Sequence, residues 1–123
     1  MERDQALSLL RQYTKSESLI KHSLSVEACM HWYAKQLNEE EELWSITGLL
    51  HDFDYEMYPE PNENGHPYKG VAILRELGVS EIICNAIMGH ALYSNTPRET
   101  NVAKYLFACD ELSGLVYASV LVR

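Results

Sequence analysis

Residues 44–52 read WSITGLLHD: an apolar helical run reaches Leu49 and Leu50, and a histidine and an aspartate, His51 and Asp52, close it. Neither side chain suits a buried helix end unless something there binds it. A metal ion does, because a neutral imidazole beside a carboxylate offers two ligands to a hard or borderline divalent cation. Further ligands must then come from faces that meet this pair.

Outward from the pair, the punctuation of the chain predicts about six helices and no period-two alternation long enough for a strand, so the fold class is all-α. Residues 3–13 form a short amphipathic helix with Ala6, Leu9 and Leu10. Thr14 with Glu17 resembles a capping box opening a long helix to about Leu37, and Asn38 with Glu41 repeats the signal for the helix that ends on the pair. From Phe53 to Gly65 the prolines, asparagines and acids predict a loop, long for so small a chain and therefore a candidate for function. A fourth helix is expected from about His66 to Leu77, and a fifth from Ser80 to about His90. Thr96 as cap, Pro97 at the first helical position and Glu99 predict the start of a last helix running past Asp110.

Composition bounds the function. At 123 residues, 46% hydrophobic and 23% charged, the chain is expected to be one soluble domain over residues 1–123. Its apolar runs fall short of a membrane span and the N-terminus lacks a signal-peptide pattern, so a cytoplasmic location and no membrane partner are expected. Cys29, Cys84 and Cys109 are odd in number and far apart, which predicts reduced core residues rather than a disulfide framework or thiolate zinc site. The formal charge of −8 argues against a nucleic acid polymer as partner. At the other end, Leu115, Val116, Tyr117, Val120, Leu121 and Val122 lead into Arg123 without a polar tail. Such a segment needs cover, from further helices of a longer chain or from a second copy in a homo-oligomer.

The unusual side chains fall on inward faces. His22 lies on the Leu19, Val26, Cys29, Met30, Tyr33 stripe of the second helix; alone it reads most simply as a hydrogen-bonded core residue. His31 lies on another face and is assigned no role. Asp110 stands among Ala103, Leu106, Phe107 and Ser113, where an unpaired charge costs several kcal/mol and requires a cation or several donors. His90 ends the Ile83, Ala86, Ile87 stripe and His66 opens the fourth helix. Together these are nitrogen and oxygen ligands on five segments, suited to manganese, iron, zinc, cobalt or nickel. Six groups exceed what one four-coordinate ion needs, and two ions share the site if Asp52 bridges them.

The order of a histidine (His22), a His-Asp pair (His51, Asp52) and a distant aspartate (Asp110) resembles the HD-domain metal-dependent phosphohydrolase superfamily, from about Leu19 to Tyr117. His66, in His-Pro-Tyr-Lys-Gly, and His90, in Met-Gly-His-Ala, look like the two extra histidines of its dinuclear branch. The resemblance is closest to small stand-alone proteins of the HDIG type. It implies an HD-domain helical bundle, with a first metal on His22, His51, Asp52 and Asp110 and a second on His66, His90 and the bridging Asp52. It also implies further helices beyond Arg123. The chain departs from the HD-GYP cyclic-dinucleotide phosphodiesterases, since Phe53 to Glu56 follow the pair without their lysine and Ala91 follows His90.

The implied activity is hydrolysis of a nucleotide or small phosphate ester by a metal-activated water, with Asp52 as bridge and Asp54 or Glu56 as candidate proton relay; Glu56 is taken as the second catalytic residue beside Asp52. Lys69, Arg98 and Lys104 are the only basic candidates near the site in sequence to grip a phosphate. The same ligand set also resembles myo-inositol oxygenase and related HD-fold diiron oxygenases. A non-catalytic metal-loaded or ligand-sensing module, dimerising through the apolar terminus, is the remaining reading.

Overall fold

The computed structural model describes the backbone of residues 1–121 and the side chains of residues 1–116. The described residues form six α-helices and no strand: α1 (Arg3–Tyr13), α2 (Glu17–Leu37), α3 (Glu41–Leu50), α4 (Tyr68–Glu76), α5 (Glu81–His90) and α6 (Asn101–Leu121), with a 3-10 turn at Leu92–Ser94. The expected all-α bundle is what the chain forms.

α3 is the central helix. Every residue from Trp44 to His51 is buried, and α3 packs on α1, α2, α5 and α6. Glu41 and Glu42 start it, where carboxylates favour the positive end of the helix dipole. Leu49 and Leu50 are fully enclosed, and each such side chain contributes roughly 1.5–3 kcal/mol. α2 approaches α3 so closely at Gly48 that a Cβ there would stand 2.8 Å from the Glu27 Cα. Only glycine permits that approach, which places the end of α3 beside the first half of α2. Glu27 accepts a bidentate pair from Arg3, at 2.7 Å from Nε and 2.9 Å from Nη2, and so ties α1 to the same face.

Helix starts differ from the cap signals in three places. Thr14 does not cap α2: it is buried and its Oγ1 donates to the Phe53 carbonyl at 3.0 Å, so α2 begins after Ser16. Asn38 ends α2 rather than starting α3, in the left-handed region (φ 56°), with its N–H on the last carbonyls of α2. α6 starts at Asn101, with Thr100 Oγ1 accepting from the Ala103 N–H at 3.2 Å, rather than at Thr96. Arg98 explains the delay. Its Nη1 donates to the Gly89 carbonyl at 2.7 Å and its guanidinium lies 4.2 Å from the Phe107 ring centre, which holds the segment before α6 against α5.

No helix among the described residues is long and apolar enough to cross a membrane. Of the apolar terminal segment, Leu115 and Val116 are exposed, while the expectation for Tyr117, Val120, Leu121 and Val122 lies outside the described side chains.

Candidate metal centre

Three helix ends and two helix faces, those of α2 and α6, converge on Asp52. His51 stands at the C-terminal end of α3 and His90 is the last residue of α5. At such ends the backbone carbonyls lack intrahelical partners. Both histidines use one: His51 Nδ1–H donates to the Gly48 carbonyl at 2.7 Å, and His90 Nδ1–H donates to the Ile87 carbonyl three residues back. His66, in the turn before α4, donates Nδ1–H to Asp54 Oδ1 at 2.6 Å. With Nδ1 occupied as a donor in each ring, Nε2 is the atom left to ligate.

The Nε2 atoms meet the carboxylates in two groups. In the first, His22 Nε2 lies 2.8 Å from Asp110 Oδ1 and 3.3 Å from His51 Nε2, and His51 Nε2 lies 3.3 Å from both Asp110 Oδ1 and Asp52 Oδ2. In the second, Asp52 Oδ1 lies 3.1 Å from His66 Nε2 and 3.2 Å from His90 Nε2, which are 3.2 Å apart. In each group the potential ligand atoms all lie within 4.8 Å of one another. Imidazole Nε2 atoms at such distances, with Nδ1 of His51, His66 and His90 already donating, point lone pairs at a common centre in each group. That donor set fits a divalent transition ion, with imidazole and carboxylate ligands and no thiolate. All six residues expected as ligands, His22, His51, Asp52, His66, His90 and Asp110, are thus brought together, whereas His31 lies apart, bonded to Ser45 and Glu41.

The same geometry holds protons. Burial opposes charge on His51, but the Asp52 and Asp110 carboxylates outweigh it and raise its pKa well above the usual histidine value. His66 is raised to about 9 against the opposing effect of burial, by bonds and charge from Asp52 and Asp54. Asp52 and Asp110 are held well below the usual carboxylate range despite burial, Asp52 mainly by the His51 charge and Asp110 mainly by its bonds with His22 and His51. The histidines keep both acids ionised, and a cation displacing the protons meets full negative charge.

Asp54 gains a role that its loop position does not announce. It is buried, and beyond His66 its second oxygen accepts the Gly70 N–H at 2.8 Å. A Cβ on Gly70 would lie 2.6 Å from that carboxylate, so the glycine of His-Pro-Tyr-Lys-Gly makes room for it. Tyr93 adds a second hold on this turn, donating its hydroxyl to the His66 carbonyl at 2.5 Å. Glu56 stands outside both ligand groups, exposed, with its oxygens on the backbone N–H groups of Lys15 and Ser16. Of the basic candidates, Arg98 is engaged with Gly89 and Phe107, and Lys69 Nζ sits 5.4 Å over the Tyr58 ring.

A family model described as "HD domain" matches residues 19–115. Among curated relatives, Ribonuclease Y of Nitratidesulfovibrio vulgaris (strain DP4) is 31% identical over 109 residues, covering 88% of this chain and 20% of the relative. Ribonuclease Y of Lactobacillus helveticus (strain DPC 4571) is 28% identical over 97 residues, covering 79% of this chain and 17% of the relative. The chain thus spans about a fifth of the length of the relatives it matches. No solved structure matches it. The matched stretch carries all six converging residues, and the chain belongs to the HD-domain family, a superfamily of metal-dependent phosphohydrolases.

Proposed function

We propose that this chain hydrolyses a nucleotide or other small phosphate ester at a site that holds one divalent ion in each half, His22, His51, Asp52 and Asp110 on one side and His66, His90 and Asp52 on the other. One observation carries the reading: the two oxygens of Asp52 face different histidine sets, Oδ2 toward His51 and Oδ1 toward His66 and His90. Divalent ions bound there supply a water of lowered pKa and neutralise charge on the phosphoryl oxygens. Asp52, kept ionised by its histidines, presents one oxygen to each half and would hold an ion in either. The three partly exposed ligands, His22, Asp52 and Asp110, have side-chain exposures of 21–24%, against 8% or less for His51, His66 and His90. They mark the open side, from which the phosphate approaches.

Asp54 is committed to His66 and Gly70 and acts as an orienting group. Glu56 keeps a proton-relay role only by leaving its backbone bonds. Similarity to Ribonuclease Y supports a second reading, in which the bond cleaved is a phosphodiester of a short RNA. The test is phosphate or nucleotide release from nucleoside monophosphates, cyclic nucleotides and a short oligoribonucleotide after loading with manganese, cobalt, nickel or iron, in air and without oxygen. Release independent of oxygen is expected, and the class of compound cleaved separates the two substrate readings. Turnover that requires iron and oxygen would overturn the proposal in favour of an oxygenase; metal binding without turnover on the panel would favour a sensing module.

A further inference from the structure

We propose that Glu56 is a positioning residue that sets the spacing of the first metal half by strapping the start of α2 to the turn that carries Asp52. Its carboxylate accepts the Lys15 N–H at 2.9 Å on Oε2 and the Ser16 N–H at 2.8 Å on Oε1. These amides lie just before Glu17, at the helix end where free N–H groups and the dipole favour a negative charge. A second stitch runs beside the first, from Thr14 Oγ1 to the Phe53 carbonyl at 3.0 Å. Residues 14–16 are thereby fixed to residues 53–56 at three points.

Both ends of this strap lie close in sequence to ligands of the first half. His22 follows Ser16 by six residues of helix, and Asp52 immediately precedes Phe53. The separation the strap controls is that between His22 Nε2 and Asp52 Oδ2, 3.9 Å, longer than the 3.3 Å between His51 and Asp52 within one turn. His22 is also the histidine whose place depends on a different helix from the pair. Two charge-assisted bonds from one carboxylate to successive amides fix direction as well as distance. The backbone donors also lower the Glu56 pKa, which suits a permanent acceptor better than a proton donor.

The inference rests on the two-half metal site but not on the hydrolytic chemistry, so metal binding tests it. Cobalt(II) is titrated into the full chain and into Glu56→Ala, Glu56→Gln and Glu81→Ala, following visible absorption and stoichiometry. Glu81, on an exposed pair with Arg75, is the control. Glu56→Ala is expected to weaken one class of site by about tenfold, as loss of an outer positioning contact does. Glu56→Gln, which retains an acceptor oxygen, is expected to restore most of the affinity, and Glu81→Ala to change nothing. Where Glu56→Ala does not fold, Glu56→Gln and Thr14→Val carry the comparison, with a smaller loss at the same class of site. Wild-type affinity in Glu56→Ala would overturn the inference. So would a hundredfold loss of turnover in Glu56→Gln at saturating metal with affinity unchanged, which would assign proton transfer to Glu56. Failure of the wild-type chain to bind any ion would instead remove the site on which both proposals stand.

Discussion

The two halves of the site share Asp52 but secure their histidines differently. In the second half, His66 and His90 have side-chain exposures of 8% and 5%, and each donates its Nδ1–H to a fixed acceptor, Asp54 or the Ile87 carbonyl. In the first half, His22 and Asp110 meet across 88 residues of sequence, from the middle of α2 and of α6, and remain about a quarter exposed. One half is oriented by hydrogen bonds inside a buried pocket. In the other, His51 is held in the same way by the Gly48 carbonyl, but His22 and Asp110 are placed by helix packing, above all the close approach at Gly48, and stay partly exposed. A single lost hydrogen bond therefore damages the second half most, whereas the first yields to changes in helix position.

The shared residue gives the largest effect. Asp52→Ala removes an oxygen from each half and is expected to abolish metal uptake in both, with activity falling by about 10³-fold or more, beyond the loss of a single electrostatic donor. Elemental analysis of the purified variant checks this; retention of a full complement of metal would show that Asp52 is not shared. Asp54→Asn comes next. It leaves Gly70 its acceptor but weakens the hold on His66, and affinity in the second half alone is expected to fall by about 10–100-fold. Gly70→Ala reaches the same carboxylate by steric contact and is expected to reproduce the selectivity. Equal losses in both halves would end the distinction drawn between them.

The first half is also the more legible one in sequence. His22 and Asp110 interrupt the apolar stripes of long helices, where period alone tells which way a side chain faces, and the His51–Asp52 pair closes such a stripe. Asp54 lies instead among the acids that follow the pair, and nothing local separates a buried carboxylate there from a solvated one. Its burial is decided by Gly70, sixteen residues on, whose missing Cβ leaves the space. Cap signals failed for a related reason. Thr14 and the Thr96–Pro97–Glu99 run carry plausible local chemistry, but tertiary bonds from Thr14 to Phe53 and from Arg98 to Gly89 decide where α2 and α6 begin.

Protonation gives a graded way to probe the same contrast. Without a metal, His66 holds its proton up to about 9, above the ordinary value near 6.5. Its folded pKa is raised, so the stability from protonated His66 is fully present below about 6.5 and is lost as pH rises through about 9. Asp52 and Asp110 are depressed, so their contribution is present above about 3.9 and is lost as pH falls through their folded values. The metal-free chain is expected to melt at lower temperature at pH 10 than at pH 7. Metal binding runs the other way, because Nε2 must release its proton: affinity in the second half should weaken by about tenfold per pH unit below 9 for each proton displaced. Titrations at pH 6, 7 and 8 check the slope, and a flat response would show that His66 is not a ligand.

His31 sets the lower limit of these effects. It lies on α2 nine residues after His22, with Nδ1 3.1 Å from Ser45 Oγ and Nε2 3.2 Å from Glu41, so it has polar partners much as a site histidine has. Its side chain is 45% exposed, however, and the groups it meets, Glu41 and Ser45, stand in the first half of α3, whereas Asp52 follows the end of that helix. An exposed pair of this kind is worth about 0–1 kcal/mol, so His31→Ala is expected to lower stability by no more than that and to leave metal content and its pH dependence unchanged. Calorimetry with elemental analysis checks both. A drop in metal content would mean that α2 position is transmitted to His22 along the helix, and that the open half depends on more of α2 than its strapped first turn.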